Sequence, residues 1–153
     1  MNYKLIVAFC KNQGIGLNQS IPWYFPNDLK RFSKITRGIG NNAVIMGRKT
    51  MESLPSQYLP KRDNFILSKC LKLDKIIKGS RIKSFSSPEE IKEFCSTKYY
   101  DTIWIIGGEQ IYNAFINDVD KIYLTQIYED FECDTFFPDI PDHFSLTKTS
   151  PII

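Results

Sequence analysis

The sequence predicts one α/β domain with a mixed, mostly parallel central sheet flanked by about four helices. Apolar strand-like runs alternate with helical patterns along the 153 residues, which is the order of βα units around a parallel sheet. The run "IWII" at 103–106 has no polar alternation and is typical of a strand covered on both faces. No linker, internal repeat or low-complexity tract divides the chain, so residues 1–153 are expected to share one core.

The predicted strands are apolar or alternating runs bounded by glycine, proline or polar clusters. In chain order they are residues 4–9, 42–46, 64–68, 81–85, 103–106, 121–131 and, more weakly, 144–150. The segment "KIYLTQIYEDF" alternates polar and apolar side chains, as a strand with one solvated face does. The alternation of strands with helices predicts a largely parallel sheet, which can include an antiparallel end.

Four helices are predicted between these strands. The first, at 27–36, places Asp28, Leu29 and Phe32 on one face together with Phe25, and this face is expected to point inward. A short helix follows in "GRKTMESL", and another follows Gly107-Gly108. The helix in "SSPEEIKEF" has the clearest start, because Ser87 is a cap, Pro88 suits the first position and Glu90 completes a capping box.

Composition narrows the class of function. Apolar residues make up 42% and charged residues 24%, as in ordinary globular proteins. The net charge of +3 is too small and scattered to indicate nucleic-acid binding, but it suits a small anionic ligand. The four cysteines lie far apart and the single histidine is His143, which argues against a metal site and against Cys–His catalysis.

The cysteines and the N-terminus both favour a cytoplasmic protein. Four free thiols in a reducing compartment explain the cysteine spacing better than two disulfides, which are the alternative. The first apolar stretch is only six residues long and no cleavage site follows it. Neither a signal peptide nor a membrane span is predicted.

The segment "NQGIGLNQSIPW" resembles the start of a dinucleotide-binding fingerprint without completing it. Two glycines follow the first strand, but position 19 is Gln19 where a third glycine is needed. Pro22-Trp23 then stands where a helix should open. The loop needs another explanation.

Glycines follow three of the predicted strands, at Gly14 and Gly16, at Gly47 and at Gly107-Gly108. Ligands of such sheets bind beyond the carboxyl ends of the strands, and glycine lets the backbone approach them. Arg48-Lys49 begins a helix, where the dipole favours anions. The pair either faces a phosphate or is solvated in a turn.

Asp28 also has two interpretations. In the first turn of a helix an aspartate is stabilised by the dipole and by free N–H groups, which is a structural role. It shares a face with apolar side chains, however, and a carboxylate in an apolar cleft is unfavourable unless it binds something. Helix geometry does not decide between the two.

Six segments together resemble the dihydrofolate reductase family in order and spacing. They are "GIGLNQSIPW", "PNDLKRF", "VIMGRKTMESLP", "LPKRDNFILS", "WIIGGEQIY" and "DFECDTFFPD". The resemblance extends from Leu5 to about Phe144 and implies reduction of 7,8-dihydrofolate with NADPH, and no metal. It also implies that the glycine loop is the mobile loop that closes over nicotinamide and pterin. Dihydrofolate and antifolate inhibitors are the implied small-molecule partners, without nucleic acid or membrane.

The resemblance assigns the substrate residues. Asp28 matches the carboxylate that holds the pterin and promotes protonation at N5, and Thr125 matches its hydrogen-bond partner. Trp23 matches a tryptophan that holds an ordered water. Arg62 matches the arginine that grips the substrate's α-carboxylate. The apolar lining around the pterin and benzoyl rings is matched by Ile6, Val7, Leu29, Phe32, Leu54 and Leu59.

The resemblance likewise assigns the cofactor residues. Arg48, Ser68 and Lys69 match positions around the adenosine 2′-phosphate, which implies NADPH rather than NADH. The Gly107-Gly108 pair resembles the family's cis peptide. The remaining cofactor positions are Ala8, Ile15, Gly16, Leu17, Gly47, Lys49, Thr50, Leu67, Ile106, Glu109, Gln110, Ile111 and Tyr112.

The chain departs from the family pattern at two places. Met51 stands where tryptophan is frequent, in a position expected to pack. Family members also continue past Pro151-Ile152-Ile153 into a final strand that lies between the strand at 121–131 and the one at 144–150. We therefore expect a truncated sequence or the first part of a fusion with thymidylate synthase, poorly stable alone, with residues beyond Phe144 mobile or moved into the vacant place.

Two alternatives to an active dihydrofolate reductase remain at this stage. A riboflavin-pathway reductase shares the fold and NADPH but acts on a ribosylated pyrimidine, and it should lack the combination of Asp28, Phe32 and Arg62. An inactive segment could instead serve as a binding module. Otherwise a monomer is expected.

Overall fold

The protein is described by a computed structural model over residues 2–18 and 20–150, and these residues form nine strands and four helices. The strands are β1 Tyr3–Phe9, β2 Gly14–Gly16, β3 Asn42–Gly47, β4 Asp63–Leu67, β5 Asp74–Ile77, β6 Ser80–Phe85, β7 Thr102–Gly107, β8 Lys121–Gln126 and β9 Thr135–Phe136. The helices are α1 Pro26–Arg37, α2 Arg48–Ser53, α3 Pro88–Ser96 and α4 Glu109–Phe115.

Seven strands form the central sheet in the order β5-β6-β4-β3-β7-β1-β8. Every neighbouring pair is parallel except β5 with β6, which is an antiparallel hairpin at one end. The short strands β2 and β9 pair separately, in antiparallel orientation. This confirms the predicted single α/β domain, the mostly parallel sheet and the four helices. The antiparallel end is formed by β5, which was not predicted, with β6, whereas β8 is parallel to β1.

Side chains alternate across the sheet into two cores. On one face, Leu5, Ile45 and Ile105 pack with residues of α3 and α4. On the other face, Val44 and Trp104 pack with residues of α1 and α2. Because both faces are covered, the central strands are apolar throughout, as "IWII" predicted.

The capping of α3 differs from the prediction in one detail. The Ser87 hydroxyl accepts a hydrogen bond from the Glu90 backbone N–H at 3.2 Å, as expected. The Glu90 carboxylate instead accepts from the backbone N–H and hydroxyl of Ser86, at 3.1 and 2.8 Å. The Glu90 carboxylate therefore bonds to Ser86, one residue before Ser87, which is the partner in the predicted capping box.

The predicted strand at 144–150 is wrong, since the structure has no strand there. Residues 151–153, on which the predicted truncation partly rested, lie outside the described residues. In the described part of the chain β8 pairs with β1 alone, so its second edge has no neighbouring strand. None of the four helices is long and apolar enough to span a bilayer.

Candidate active site

Most of the predicted functional residues lie near one edge of the sheet, whereas Arg62 directly precedes β4 and lies at the opposite edge. Strands β4, β3, β7, β1 and β8 are consecutive neighbours and parallel, so their carboxyl ends lie side by side. This is the edge at which open α/β sheets bind ligands.

Asp28 and Thr125 form a direct contact at this edge. The Thr125 hydroxyl donates to Asp28 Oδ1 at 2.7 Å and accepts from Arg31 Nη1 at 3.3 Å. Because the guanidinium can only donate, the hydroxyl proton is directed at the carboxylate. Asp28 itself is half-buried at the start of α1, so its second oxygen is available to a ligand.

Arg31 was not predicted as part of this arrangement. It follows Asp28 by three positions, and residues three apart share a helix face. That spacing is the signal in the sequence that could have identified it.

An apolar cluster lies beside Asp28. Ile6 is 4% exposed and packs with Phe32, Leu54, Leu59 and Ile106. The structure thus gathers most of the predicted ring lining on the α1 side of the sheet.

Two residues of the predicted helix face and one residue of the predicted ring lining differ from expectation. Phe25 and Leu29 are 39% and 51% exposed, so the expectation that this face points inward is wrong for them. Both side chains are thus partly open to solvent. The side chain of Val7 packs in the opposite core, because successive side chains of β1 alternate between faces. Only its backbone can face the cleft.

Arg62 is a buried cation. It is 5% exposed and donates to the backbone oxygen of Pro60 at 2.9 Å, to that of Ser33 at 3.4 Å and to the Thr36 hydroxyl at 2.8 Å. Burial first, and the charge of Arg37 second, lower the pKa of its guanidinium. The ordinary pKa is so high that the group stays positive at neutral pH. None of its acceptors among the described residues is a carboxylate.

Glycines form a backbone cradle where β3 and β7 end. The Gly107-Gly108 peptide bond is cis, which confirms the expected feature. A Cβ on Gly107 would lie 3.0 Å from the Tyr112 hydroxyl, and one on Gly47 would lie 3.3 Å from Ile111 Cγ1. A Cβ on Gly108 would come 4.0 Å from Thr50 Oγ1. Glycine at 47 and 107 therefore lets Ile111 and Tyr112 of α4 pack directly against the ends of β3 and β7.

The Tyr112 hydroxyl holds the backbone of β1 and β7 in position at this cradle. Its hydroxyl lies 2.9 Å from the Ile6 carbonyl oxygen and 3.0 Å from that of Ile106, and it donates its single proton between them. Burial raises the pKa of Tyr112 well above its usual value. Tyr112 is therefore a neutral phenol, and it holds these two backbone carbonyl groups in position. Of its neighbours on α4, Ile111 is buried, Gln110 is exposed, and Glu109 accepts from the Phe136 N–H at 2.9 Å.

The basic side chains lie at the ends of β3 and β4. Arg48 forms an ion pair with Glu52 at 2.9 Å, one turn along α2, and both side chains are largely exposed. Lys49 and Lys69 are exposed, and Ser68 accepts from the Cys70 N–H at 3.3 Å. Leu67 ends β4 beside them. An exposed ion pair of this kind contributes little, so Arg48 is free to exchange Glu52 for another anion.

The glycine loop, residues 12–23, is hydrogen-bonded and packed against residues 131–134, the segment before β9. The Asp134 N–H donates to the Gly16 carbonyl oxygen at 2.9 Å, and Asp134 Oδ2 accepts from the Asn18 N–H at 3.0 Å. The Trp23 ring packs 5.3 Å from that of Phe131. These contacts place the loop at the carboxyl end of β1, next to Ala8. Ile15 faces the core, Leu17 is half-buried, and Gln19 lies outside the described residues.

Comparison with known proteins decides the family. The dihydrofolate reductase family model matches residues 2–152. This chain belongs to the dihydrofolate reductase family. A dihydrofolate reductase of Drosophila melanogaster is 37% identical over 153 residues, covering 94% of this chain and 83% of that protein. One of Haemophilus influenzae is 37% identical over 140 residues, covering 92% and 81%.

A third relative carries a second activity in its name. The bifunctional dihydrofolate reductase-thymidylate synthase of Daucus carota is 37% identical over 154 residues, covering 89% of this chain and 28% of that protein. Membership of this family means that the chain is an oxidoreductase of folate metabolism that reduces dihydrofolate with a nicotinamide cofactor. It also disfavours a riboflavin-pathway reductase.

Proposed function

We propose that the cofactor is NADPH and that Asp28 is the residue that binds and polarises the pterin of 7,8-dihydrofolate. The Asp28–Thr125 hydrogen bond of 2.7 Å, at the ligand-binding edge of the sheet, is the observation that carries this proposal. The product is 5,6,7,8-tetrahydrofolate, formed by hydride addition at C6 and protonation at N5.

Each part of the substrate has a chemical counterpart in the cleft. The Asp28 carboxylate accepts hydrogen bonds from pterin N3 and the adjacent amino group, and its charge favours a protonated ring. Arg31 and Thr125 keep the carboxylate oriented. The apolar cluster of Ile6 and Phe32 covers the rings and excludes water from the reacting carbon. Arg62 offers the α-carboxylate a charge-assisted, two-pronged contact.

When bound, the nicotinamide supplies the hydride. The residues that would hold the cofactor are those of the glycine cradle, with Thr50 beside it. Arg48, Ser68 and Lys69 lie at the adjacent strand ends, where they would face the 2′-phosphate. Trp23 closes the cleft from the glycine loop, against Phe131.

We propose the cytosol as the site of the reaction, because four cysteines without a disulfide fit a reducing compartment. Antifolates that imitate the pterin would occupy the same Asp28 pocket. We propose that the tetrahydrofolate product supports thymidylate synthesis. The name of the Daucus carota relative gives both activities, dihydrofolate reductase and thymidylate synthase, to one protein.

Arg62→Leu should weaken dihydrofolate binding about ten- to a hundredfold, since a charged hydrogen bond contributes about 1.5–3 kcal/mol. The loss arises because leucine cannot pair with the α-carboxylate. Equilibrium titration of the purified variant with dihydrofolate measures it.

A pterin without the glutamate tail serves as the control ligand for Arg62→Leu. It should bind the variant and the parent protein equally. A thermal melt of the same samples separates lost ligand contacts from lost structure, because Arg62 also bonds Ser33, Thr36 and Pro60. Equal weakening of both ligands in a folded variant would exclude Arg62 as the carboxylate clamp.

Replacing both Arg48 and Lys69 with glutamine should reduce NADPH affinity about tenfold or more while leaving NADH affinity unchanged. The two cofactors differ only in the 2′-phosphate, so charge lost at that group affects NADPH alone. Fluorescence titration with each cofactor measures the two dissociation constants.

Lys75→Gln is the matched control for the double variant, because Lys75 lies on the outermost strand β5. It should change neither constant. Glu52→Gln, which releases Arg48 from its ion pair, should strengthen NADPH binding slightly. A double variant that loses NADPH and NADH equally would show that Arg48 and Lys69 do not contact the 2′-phosphate.

A further inference from the structure

Two cysteines from distant parts of the sequence meet at the base of the glycine loop. Cys10 follows β1 and is fully buried, and Cys133 lies just before β9 and is half-buried. Both thiols lie at the turn of Asn12 and Gly14: Cys10 Sγ donates to Asn12 Oδ1 at 2.7 Å, the Gly14 N–H donates to the same oxygen at 2.9 Å, and the Cys133 side chain lies against Gly14. No role in dihydrofolate reduction has been assigned to either residue.

The backbone holds the two thiols together. The Cys10 N–H donates to the Gly14 carbonyl oxygen at 3.1 Å, so the chain turns back immediately after β1. The Cys133 side chain lies directly over Gly14, because a Cβ on that glycine would be 2.6 Å from Cys133 Cβ and would overlap its sulfur. Any larger residue at position 14 would push Cys133 away from Cys10.

The polar surroundings of Cys10 favour its thiolate. Burial raises the pKa of this thiol, but hydrogen bonds with the backbone of Phe131, Asn12 and Gly14 and with Cys133 outweigh burial, and the net shift is downward. Burial and the Cys10 charge raise the pKa of Cys133. The buried member of the pair is therefore the better nucleophile once a partner sulfur is presented to it.

From this geometry we propose that Cys10 and Cys133 form a reversible disulfide that fastens the glycine loop to the segment before β9. Among the described residues the loop and this segment are joined by non-covalent contacts, including the Asp134–Gly16 hydrogen bond and the Trp23–Phe131 ring contact. The bond would hold the loop in the arrangement described and slow turnover. This effect on turnover rests on the proposed role of the loop in covering the ligands.

The oxidant is a low-molecular-weight disulfide, RSSR. The accessible Cys133 thiolate attacks one of its sulfurs, the S–S bond breaks and one RS⁻ leaves. The Cys10 thiolate then attacks the Cys133 sulfur of the mixed disulfide and displaces the second RS⁻. Two protein thiols are oxidised, RSSR is reduced to two thiols, and these take up the two protons.

The test incubates the full chain with oxidised glutathione, blocks remaining thiols and maps disulfides by peptide mass spectrometry. We expect a Cys10–Cys133 peptide, with Cys95 unmodified and the exposed Cys70 at most glutathionylated. Free thiols in the unfolded protein should fall from four by at least the two in this bond. Cys10 and Cys133 left reduced, or carrying glutathione alone, would overturn the proposal, and this result does not depend on enzymatic activity.

Activity and loop mobility provide the second readout. Turnover of the oxidised protein should fall severalfold, quenching of Trp23 fluorescence by acrylamide should decrease, and dithiothreitol should restore both. Cys133→Ser should keep its turnover under the same oxidation, whereas Cys70→Ser should respond like the parent. If the Cys10–Cys133 disulfide forms and turnover is unchanged, the proposal that this bond slows turnover by holding the glycine loop is overturned.

Discussion

Asp28→Asn should lower the rate of hydride transfer at neutral pH about 10²–10⁴-fold, the usual contribution of a positioned acid–base group. An amide has nearly the shape of the carboxylate and can still accept from Thr125, so folding and NADPH binding should persist. It lacks the charge that favours a protonated pterin. The deficit should therefore narrow as the pH falls and solvent protonates the ring. Single-turnover measurements across pH follow this directly.

The control for this variant is Asp63→Asn. Asp63 begins β4, at the opposite edge of the sheet, where it accepts hydrogen bonds from Tyr100 at 2.5 Å and from the Arg81 N–H at 2.9 Å. Its loss should affect stability and leave hydride transfer in the folded protein unchanged. If Asp28→Asn transfers hydride at the parental rate at neutral pH, Asp28 does not have the role assigned to it.

Gly107→Ala should damage both stability and cofactor binding. Gly107 has φ +114°, which L-residues rarely adopt, and holding a residue in such a conformation costs about 1–3 kcal/mol. The new methyl group would also lie 3.0 Å from the Tyr112 hydroxyl. That hydroxyl is bonded to the Ile6 and Ile106 carbonyls, so it cannot retreat without breaking those contacts. The strand ends that form the cradle should shift.

Gly40→Ala is matched to this change. Gly40 has φ +99°, but a Cβ there would meet nothing within 4 Å. Both variants should lose free energy of unfolding in denaturant titrations, and only Gly107→Ala should lose NADPH affinity. Parental NADPH affinity in a folded Gly107→Ala protein would mean that the cofactor does not lie on this cradle.

The strands of the sheet that lie between two neighbours were predictable because burial on both faces leaves a continuous apolar run, as at Ile103–Ile105. The short strands were not. β2 and β9 have three and two residues, too few for any periodicity to show. β5 was missed because its hairpin turn, Lys78-Gly79, carries positive φ at both residues but lacks the usual Asn-Gly signal.

The error at 144–150 has a different cause. Its alternation is strand-like, but a strand forms only when another strand completes its hydrogen bonds. In the described part of the chain this segment pairs with no strand, and the second edge of β8 is left unpaired. A pattern within one segment does not contain that information.

The candidate site was predictable only in part. Residue types and the family resemblance selected Asp28, Thr125 and Arg62, and the structure places Asp28 against Thr125. The periodicity of α1 could not show that Leu29 stays 51% exposed. The exposure of a helix side chain depends on whether another part of the folded chain packs over it. The contact of Cys10 with Cys133 depends on the fold of the whole chain, and neither sequence neighbourhood indicates it.

The most direct test is NADPH oxidation by the purified chain on addition of 7,8-dihydrofolate, followed by absorbance with tetrahydrofolate measured in parallel. We expect one tetrahydrofolate per NADPH consumed, a much slower reaction with NADH, and loss of the reaction at neutral pH in Asp28→Asn. A folded protein that binds NADPH but does not oxidise it with dihydrofolate, or an Asp28→Asn variant as active as the parent, would contradict this expectation.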